Sequence, residues 1–122
     1  KKEITYPTKR VKFSEKTSEE ITSMLVTVMD KSLKGGLAKF DHYSVAVKTG
    51  TAQVARSDGG GYYEDRHTHS FFGYFPAYDP KFLVFLYAVN PKGVPYASQT
   101  WADPFLDLAK FLINYYEVPP DR

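Results

Sequence analysis

The stretch YSVAVKTGTAQVA, which runs from Tyr43 to Ala55, decides the fold. Apolar or β-branched side chains alternate along it with small or polar ones, which is the period of a strand that turns one face toward a core. Its valines and threonines also favour extended backbone. The sequence therefore predicts a strand over these residues, with Lys48-Thr49-Gly50-Thr51 near its middle.

A helix is predicted upstream of this strand. It begins with a capping box at Thr17-Ser18-Glu19-Glu20, in which Thr17 is the N-cap, and it ends at Gly35-Gly36. Four basic residues before it are interpreted as a solvated lead-in: Lys9, Arg10, Lys12 and Lys16. An apolar stripe at three- and four-residue spacing is predicted to face the core: Ile21, Met24, Leu25, Val28 and Met29.

Two more strands are predicted downstream. Residues 56–68 are polar and contain Gly59-Gly60-Gly61, which indicates a long exposed loop. Strands are expected at residues 69–75 and 82–90, joined by the proline-containing turn at 76–81. Because almost every residue of the last strand is apolar, we expect it to be buried on both faces at the centre of a sheet.

A second helix completes the predicted chain. Asp103 is expected as its N-cap and Pro104 as its first residue, and Pro119-Pro120 follows its end. The predicted fold is α+β, with the order α-β-β-β-α and a three-stranded antiparallel meander packed with the two helices. The apolar face of the second helix is predicted to consist of Phe105, Leu108, Ala109, Leu112 and Tyr116.

Length and charge limit the classes of function. A chain of 122 residues is long enough for one compact domain and too short for two. Its formal charge of +2 does not indicate a nucleic-acid partner, since phosphate binding needs clustered basic residues. The chain has no cysteine, which excludes disulfides and thiolate zinc sites. Its longest apolar run, at residues 82–89, is too short to span a bilayer, and no signal segment is recognised.

The segment after the first strand offers other candidates for a site. His67-Thr68-His69, with Glu64 and Asp65 nearby, could bind a metal ion, since alternate residues of a strand share a face. Hydrogen-bonded histidines at the edge of a loop explain the same pattern more simply, so no metal or other cofactor is expected. Three residues are interpreted mainly as exposed loop positions, with substrate contact as the alternative: Tyr62, Tyr63 and Arg66.

In its context, the Lys48-Thr49-Gly50-Thr51 strand resembles a known active-site motif. A helix closed by two glycines precedes it, and HSFFGYFPA at residues 69–77 follows it. This arrangement resembles the third active-site motif of the penicillin-binding proteins, and most closely the class B serine D,D-transpeptidases of peptidoglycan synthesis. The resemblance implies that residues 1–122 are a single partial domain, the C-terminal portion of a transpeptidase fold that serine β-lactamases share.

The resemblance also implies roles for the motif. Lys48 would be a catalytic cation, and the hydroxyls of Thr49 and Thr51 would bind the carboxylate of a peptidoglycan stem peptide or of a β-lactam. Gly50 would let the substrate backbone approach the strand. The backbone N–H of Thr51 would be one oxyanion donor, which makes Thr51 both catalytic and substrate-binding.

The two other motifs of that family, Ser-x-x-Lys and Ser-x-Asn, do not occur in this sequence. We therefore expect the chain to be inactive alone and to need the N-terminal part of the transpeptidase domain as its partner, in a parent protein that works outside the cytoplasmic membrane. A serine β-lactamase or a penicillin-sensing receptor would carry the same third motif. A further alternative is a non-catalytic module that forms a homodimer through an exposed strand edge.

Overall fold

A computed structural model of the chain describes Pro7 and residues 12–122. Its sheet has three antiparallel strands in the order β1-β2-β3, namely β1 (Ala46–Ala55), β2 (Tyr62–Phe75) and β3 (Phe82–Val89). Helix α1 (Glu15–Thr27) precedes the sheet and helix α2 (Ala97–Tyr115) follows it. The predicted α+β meander with two helices is therefore confirmed.

Helix α1 begins earlier than predicted. Its N-cap is Ser14, whose Oγ accepts the Thr17 N–H at 3.1 Å, so the prediction of Thr17 as N-cap is wrong. Ser14 supplies the same capping chemistry three residues upstream. Lys9 and Arg10 of the predicted basic lead-in lie outside the described residues, whereas Lys12 and Lys16 are exposed.

Two irregular helical turns connect α1 to β1. One π-helical turn (Val28–Ser32) and one 3-10 turn (Leu33–Gly36) lead to the strand. Lys34 and Gly35 have φ angles of 52° and 67°, in the left-handed region that ends helices. The α-helix thus ends at Thr27, eight residues before the predicted stop at Gly35-Gly36, and the two glycines end the irregular turns that follow it.

The predicted apolar stripe is confirmed in part, because Met29 is buried and Leu25 and Val28 pack against the core. Ile21 and Met24 are exposed, whereas Thr22 and Val26 are buried. Thr22 tolerates burial because its hydroxyl lies 2.8 Å from the Tyr74 hydroxyl on β2. The hydrogen bond thus allows the polar Thr22 to occupy a buried position, although the spacing of apolar residues predicted that the neighbouring Ile21 would be buried.

Most of the predicted loop at residues 56–68 is strand. Only residues 56–61 turn, and Asp58 organises them by accepting hydrogen bonds from the Arg56 guanidinium at 3.1 and 2.7 Å and from the Gly60 N–H at 3.0 Å. This pairing lowers the pKa of the Asp58 carboxyl and raises that of Arg56. The polar residues that follow belong to the long β1–β2 hairpin, which bulges where the register shifts between Gln53 and Ala55.

Strand β3 is covered on one face only, so the prediction of burial on both faces is wrong for the described chain. Phe82, Val84 and Leu86 are half-buried and pack against the core beneath α2. Within residues 12–122 no element covers the other face. The side chains on that face are between 59% and 70% exposed: Leu83, Phe85, Tyr87 and Val89.

Helix α2 starts at Ala97, six residues before the predicted N-cap, and Pro104 lies inside it. Its first turn has other partners, because the Gln99 side chain accepts the Tyr96 N–H at 3.2 Å and the Thr51 hydroxyl accepts the Ala97 N–H at 3.1 Å. The predicted apolar face is partly confirmed, with Phe105 and Ala109 buried, Leu108 and Leu112 half-buried and Tyr116 exposed. Three further residues of α2 complete its buried side: Ala102, Leu106 and Ile113.

Aromatic rings fill the core between α2 and the sheet. Phe105 stands 4.8 Å from Phe71 and 6.3 Å from Phe75, measured between ring centroids, and all three are fully buried. Gly73 on β2 provides the space, because a Cβ there would lie 2.3 Å from Cζ of Phe105 and 3.0 Å from Cγ1 of Val47. The helix can therefore approach the sheet closely only where the sheet has no side chain.

The end of the chain is tied to the start of β1. The Asp121 carboxylate accepts the Ser44 N–H at 2.7 Å and also the Ser44 hydroxyl. Arg122 donates to both oxygens of Asp30 at 2.5 and 2.8 Å, and this pairing raises the pKa of the guanidinium. These contacts fix the chain just before the strand that carries the motif.

We expect Gly73→Ala to destabilise the protein by about 3 kcal/mol, because the added methyl group overlaps the Phe105 ring in a filled core. Urea unfolding followed by circular dichroism measures the change. Gly60→Ala is the matched control, since its methyl group meets only the side chains of Asp58 and Arg56, and a change within about 0.5 kcal/mol is expected. Equal losses in the two variants would contradict the close packing of α2 on the sheet.

Candidate active site

The motif lies on β1, which is one of the two edge strands of the described sheet. Successive side chains of a strand point to opposite faces. Thr49 and Thr51 therefore share the face of Val45 and Val47, which are buried in the core beneath α2. Lys48 is on the opposite face, with Gly50. The motif thus presents hydroxyls toward the helix side of the sheet and a cation on the other side.

Lys48 is exposed on the face of the sheet opposite α2, the face on which α1 packs beside Ala46 and Tyr74. In the strand register Lys48 is opposite Phe72, and Phe72 is opposite Phe85, so the three form one row across the sheet. The ammonium group donates to the Thr49 carbonyl oxygen at 2.6 Å, and none of the described ion pairs involves it. An exposed cation without a carboxylate partner is able to attract an anionic substrate.

Gly50 faces Ser70 of β2. A Cβ at Gly50 would lie 2.6 Å from the Ser70 Oγ, which donates weakly to the Gly50 carbonyl oxygen at 3.5 Å. The missing side chain at Gly50 therefore makes room for a neighbouring strand. Substrate access at this glycine stays a prediction from the sequence.

Thr51 connects β1 to α2. Its hydroxyl accepts the N–H of Ala97, the first residue of the helix, at 3.1 Å. A hydroxyl that accepts one hydrogen bond still has its own hydrogen to donate, for example to a carboxylate. The positive end of the helix dipole also lies beside this residue. The site therefore combines a donor hydroxyl with a positive electrostatic potential.

Sequence reasoning expected a hydrogen-bonded His69 at the edge of a loop, but it did not predict that this residue is buried beside Thr51. His69 is the register partner of Thr51 on β2 and is buried, with its Nδ1 2.8 Å from the Thr100 hydroxyl. Trp101 donates its indole N–H to the His69 carbonyl oxygen at 3.1 Å. The signal in the sequence was the spacing of His69 two residues before Phe71, which places both on the core face.

The structure also locates the other candidate residues near this strand, namely the two histidines and the residues of the predicted loop. The rings of His67 and His69 are 6.4 Å apart, and the described residues contain no group of three histidines or carboxylates placed to hold a metal ion. Arg66 stacks on the Tyr63 ring at 4.0 Å, and Arg56 approaches the same ring at 5.5 Å. Tyr63 and Arg66 thus lie in the bulged segment of β2 and contact each other.

The fold and the strand together define a transpeptidase domain. The chain is similar to penicillin-binding protein 3 from Mycobacterium tuberculosis, whose structure was solved in complex with ampicillin, with a TM-score of 0.69 and 28% identity. That similarity covers 87% of this chain and 25% of the other.

Sequence comparison gives the family. Residues 2–109 match the model of the penicillin binding protein transpeptidase domain. The chain is 38% identical over 98 residues to stage V sporulation protein D of Bacillus subtilis, which covers 80% of this chain. It is 31% identical over 111 residues to the peptidoglycan D,D-transpeptidase FtsI of Buchnera aphidicola, which covers 90%. The chain belongs to the penicillin-binding protein transpeptidase family, in class B.

The match is to a part of these relatives. The chain spans 15% of the sporulation protein and 19% of the FtsI protein. Between residues 12 and 122, neither helix combines the length and the apolar composition that crossing a bilayer requires.

We expect Thr51→Val to destabilise the protein by about 1 kcal/mol, because the buried Ala97 N–H loses its acceptor while the side-chain volume stays the same. Thermal unfolding measures the loss. Thr51→Ser keeps the hydroxyl and should retain most of the stability. If the serine variant lost as much stability as the valine variant, the hydrogen bond between β1 and α2 would not be the cause.

Proposed function

We propose that this chain is the C-terminal portion of the transpeptidase domain of a class B penicillin-binding protein, and that it forms one wall of a peptidoglycan D,D-transpeptidase site. The observation that carries the proposal is Lys48-Thr49-Gly50-Thr51 on an edge strand, with an exposed cation on the same face of the sheet as the exposed apolar side chains of β3. The family membership of the chain supports it.

The chemistry assigned to the motif follows from its groups. The hydroxyls of Thr49 and Thr51 hold the terminal carboxylate of a D-Ala-D-Ala stem peptide, or the carboxylate of a β-lactam, by donating hydrogen bonds. Lys48 leaves the opposite face of the same edge strand, and its charge acts around the open edge of β1 to attract this carboxylate and to favour proton transfer. The Thr51 N–H, on an edge strand, stabilises the oxyanion that forms when a serine attacks the substrate carbonyl.

That serine comes from a part of the domain beyond residues 1–122. Its hydroxyl adds to the carbonyl carbon, the tetrahedral intermediate collapses, and the terminal D-Ala leaves with the proton that a lysine base took from the serine. The amine of a second stem peptide then attacks the acyl-enzyme, the amide cross-link forms as the ester bond to the serine breaks, and the serine oxygen takes up the proton that the amine loses. This sequence of steps assigns the described chain to recognition and charge stabilisation.

The face of the sheet that carries Lys48 supports the rest of the proposal. Tyr74 and Leu83 are register partners, and Tyr74 lines a groove with Phe13 and Ile21 of the α1 region. The groove and the exposed apolar residues of β3 therefore lie on the same face as Lys48. The remainder of the domain, with its Ser-x-x-Lys and Ser-x-Asn motifs, packs on this face and brings the nucleophile to the cation. Since its substrate is peptidoglycan, the parent protein works outside the cytoplasmic membrane.

We expect Lys48→Ala to slow acylation of the full-length protein by a fluorescent penicillin by about 10²-fold or more, because the site loses its cation. Acylation is measured as covalent fluorescence against time after denaturing electrophoresis. Lys110→Ala, on the exposed side of α2, is the matched control and should acylate at the rate of the unaltered protein. Equal rates for the two variants would contradict the role of Lys48.

A hydrolysis assay separates the transpeptidase from a β-lactamase. A transpeptidase forms a stable acyl-enzyme and turns over a chromogenic cephalosporin very slowly. Fast hydrolysis by the full-length protein would overturn the transpeptidase assignment in favour of a β-lactamase.

The exposed strand supports a second candidate role for the chain in isolation. One edge of β3 has no partner strand among residues 12–122, and one face carries four exposed apolar side chains. Such an edge is a template for pairing with a second copy. We infer that the isolated chain forms a homodimer through β3, and that the full-length protein covers the same edge with its own chain.

Phe85→Lys is expected to weaken this self-association, because it places a charge on the apolar face. Light scattering and sedimentation at micromolar concentration measure the mass. Tyr78→Lys changes an equally exposed aromatic residue on the β2–β3 connection and serves as the control. A strictly monomeric mass of the unaltered chain, together with a cooperative melt, would overturn the homodimer.

A further inference from the structure

A partly buried polar cluster lies beside Thr51 of the candidate site. It consists of His69 on β2 and Thr100 on α2, next to Thr51 on β1. His69 is 1% exposed and is the register partner of Thr51. Its Nδ1 lies 2.8 Å from the Thr100 hydroxyl. None of the roles assigned to the motif uses these two side chains.

The hydrogen bonds of this region hold one turn of α2 on the sheet. Ala97, Thr100 and Trp101 are spaced by three and four residues, so they share one face of the helix. The Ala97 N–H binds the Thr51 hydroxyl at 3.1 Å, the Thr100 hydroxyl lies against His69, and the Trp101 indole N–H binds the His69 carbonyl oxygen at 3.1 Å. The position of the Thr51 hydroxyl is therefore linked to the seating of this turn.

The burial of His69 has an energetic cost. Its Nε2 is buried and has no hydrogen-bond partner among the described residues. An unsatisfied buried polar atom lowers the stability of a protein by about 1–3 kcal/mol, and an apolar ring of similar size carries no such desolvation penalty. The neighbouring core-facing residues of β2 are the apolar Phe71 and Phe75. Stability alone does not account for an imidazole at this position.

We propose that His69 is a positioning residue of the transpeptidase site. Through its bond to Thr100 it sets the first turn of α2 against the sheet, and through the Ala97 N–H this turn orients the Thr51 hydroxyl toward the substrate carboxylate. The role of the orientation in catalysis rests on the proposed function, whereas the link from His69 to Thr51 rests on the hydrogen bonds alone. Small displacements of substrate-binding groups are costly in rate.

The test uses a variant that keeps the fold and removes the link. In His69→Phe/Thr100→Val both partners become apolar at similar volume, so the unfolding midpoint should stay the same or rise. Thr100→Ser retains the hydroxyl and is the matched control. Two quantities are measured in the full-length protein: the limiting rate of acylation by a fluorescent penicillin at saturating concentration, and the hydrogen exchange of the Ala97 amide.

We expect the double variant to lose about ten-fold in limiting acylation rate and to show faster exchange at Ala97, with the amides of Phe71 and Phe75 unchanged. Thr100→Ser should retain the rate within about two-fold. A purely structural role predicts a lower unfolding midpoint with an unchanged rate per folded molecule, and that result overturns the proposal. Unchanged exchange at Ala97 also overturns it.

The two proposals fail in different ways. If the unaltered full-length protein is not acylated, the transpeptidase assignment is wrong, while the exchange of Ala97 still decides whether His69 and Thr100 position Thr51. If the unaltered protein is acylated and the double variant acylates equally fast, the transpeptidase assignment stands and His69 has no positioning role.

Discussion

The close approach of α2 to the sheet over Gly73 is the constraint on which the rest of the structure depends. The Phe105 ring occupies the space that a side chain at Gly73 would fill, and this contact fixes the height of the helix above β2. At that height the first residue of the helix, Ala97, reaches the Thr51 hydroxyl. Packing at the centre of the core thus sets the geometry at its edge, where the motif lies.

The sheet separates two kinds of chemistry. The face toward α2 is packed with aromatic rings. It also contains the polar cluster around His69, which lies beside Thr51 of the motif. The opposite face carries Lys48 together with exposed apolar residues of β3. A lysine close to apolar surface has a stronger electrostatic effect once that surface is covered and water is excluded. The electrostatic effect of Lys48 therefore depends on what packs on this face of the sheet.

Local sequence signals predicted the parts of the fold that local physics determines. The alternation in residues 43–55 identified β1, and Gly35-Gly36 located the turn before it. Contacts between distant elements explain two predictions that were wrong. Thr51 on β1 accepts a hydrogen bond from the first residue of α2, which allows the helix to start before Pro104. The Tyr74 hydroxyl pairs with the Thr22 hydroxyl, which allows Thr22 to be buried. The motif was recognised from its pattern, but the position of His69 beside it was not. No local sequence pattern shows that this histidine is hydrogen-bonded to a threonine 31 residues away.

The error at β3 differs in kind from the others. Residues 82–89 have the composition of a strand buried on both faces, yet four of their side chains are exposed in the described chain. No local or tertiary contact within residues 12–122 explains this composition, since exposed strands normally alternate apolar with polar residues. An apolar face of this size is unfavourable in water and is typical of a surface that another polypeptide covers. The sequence of β3 therefore supports a covered face, and because Lys48 shares that face, the same cover would complete its site.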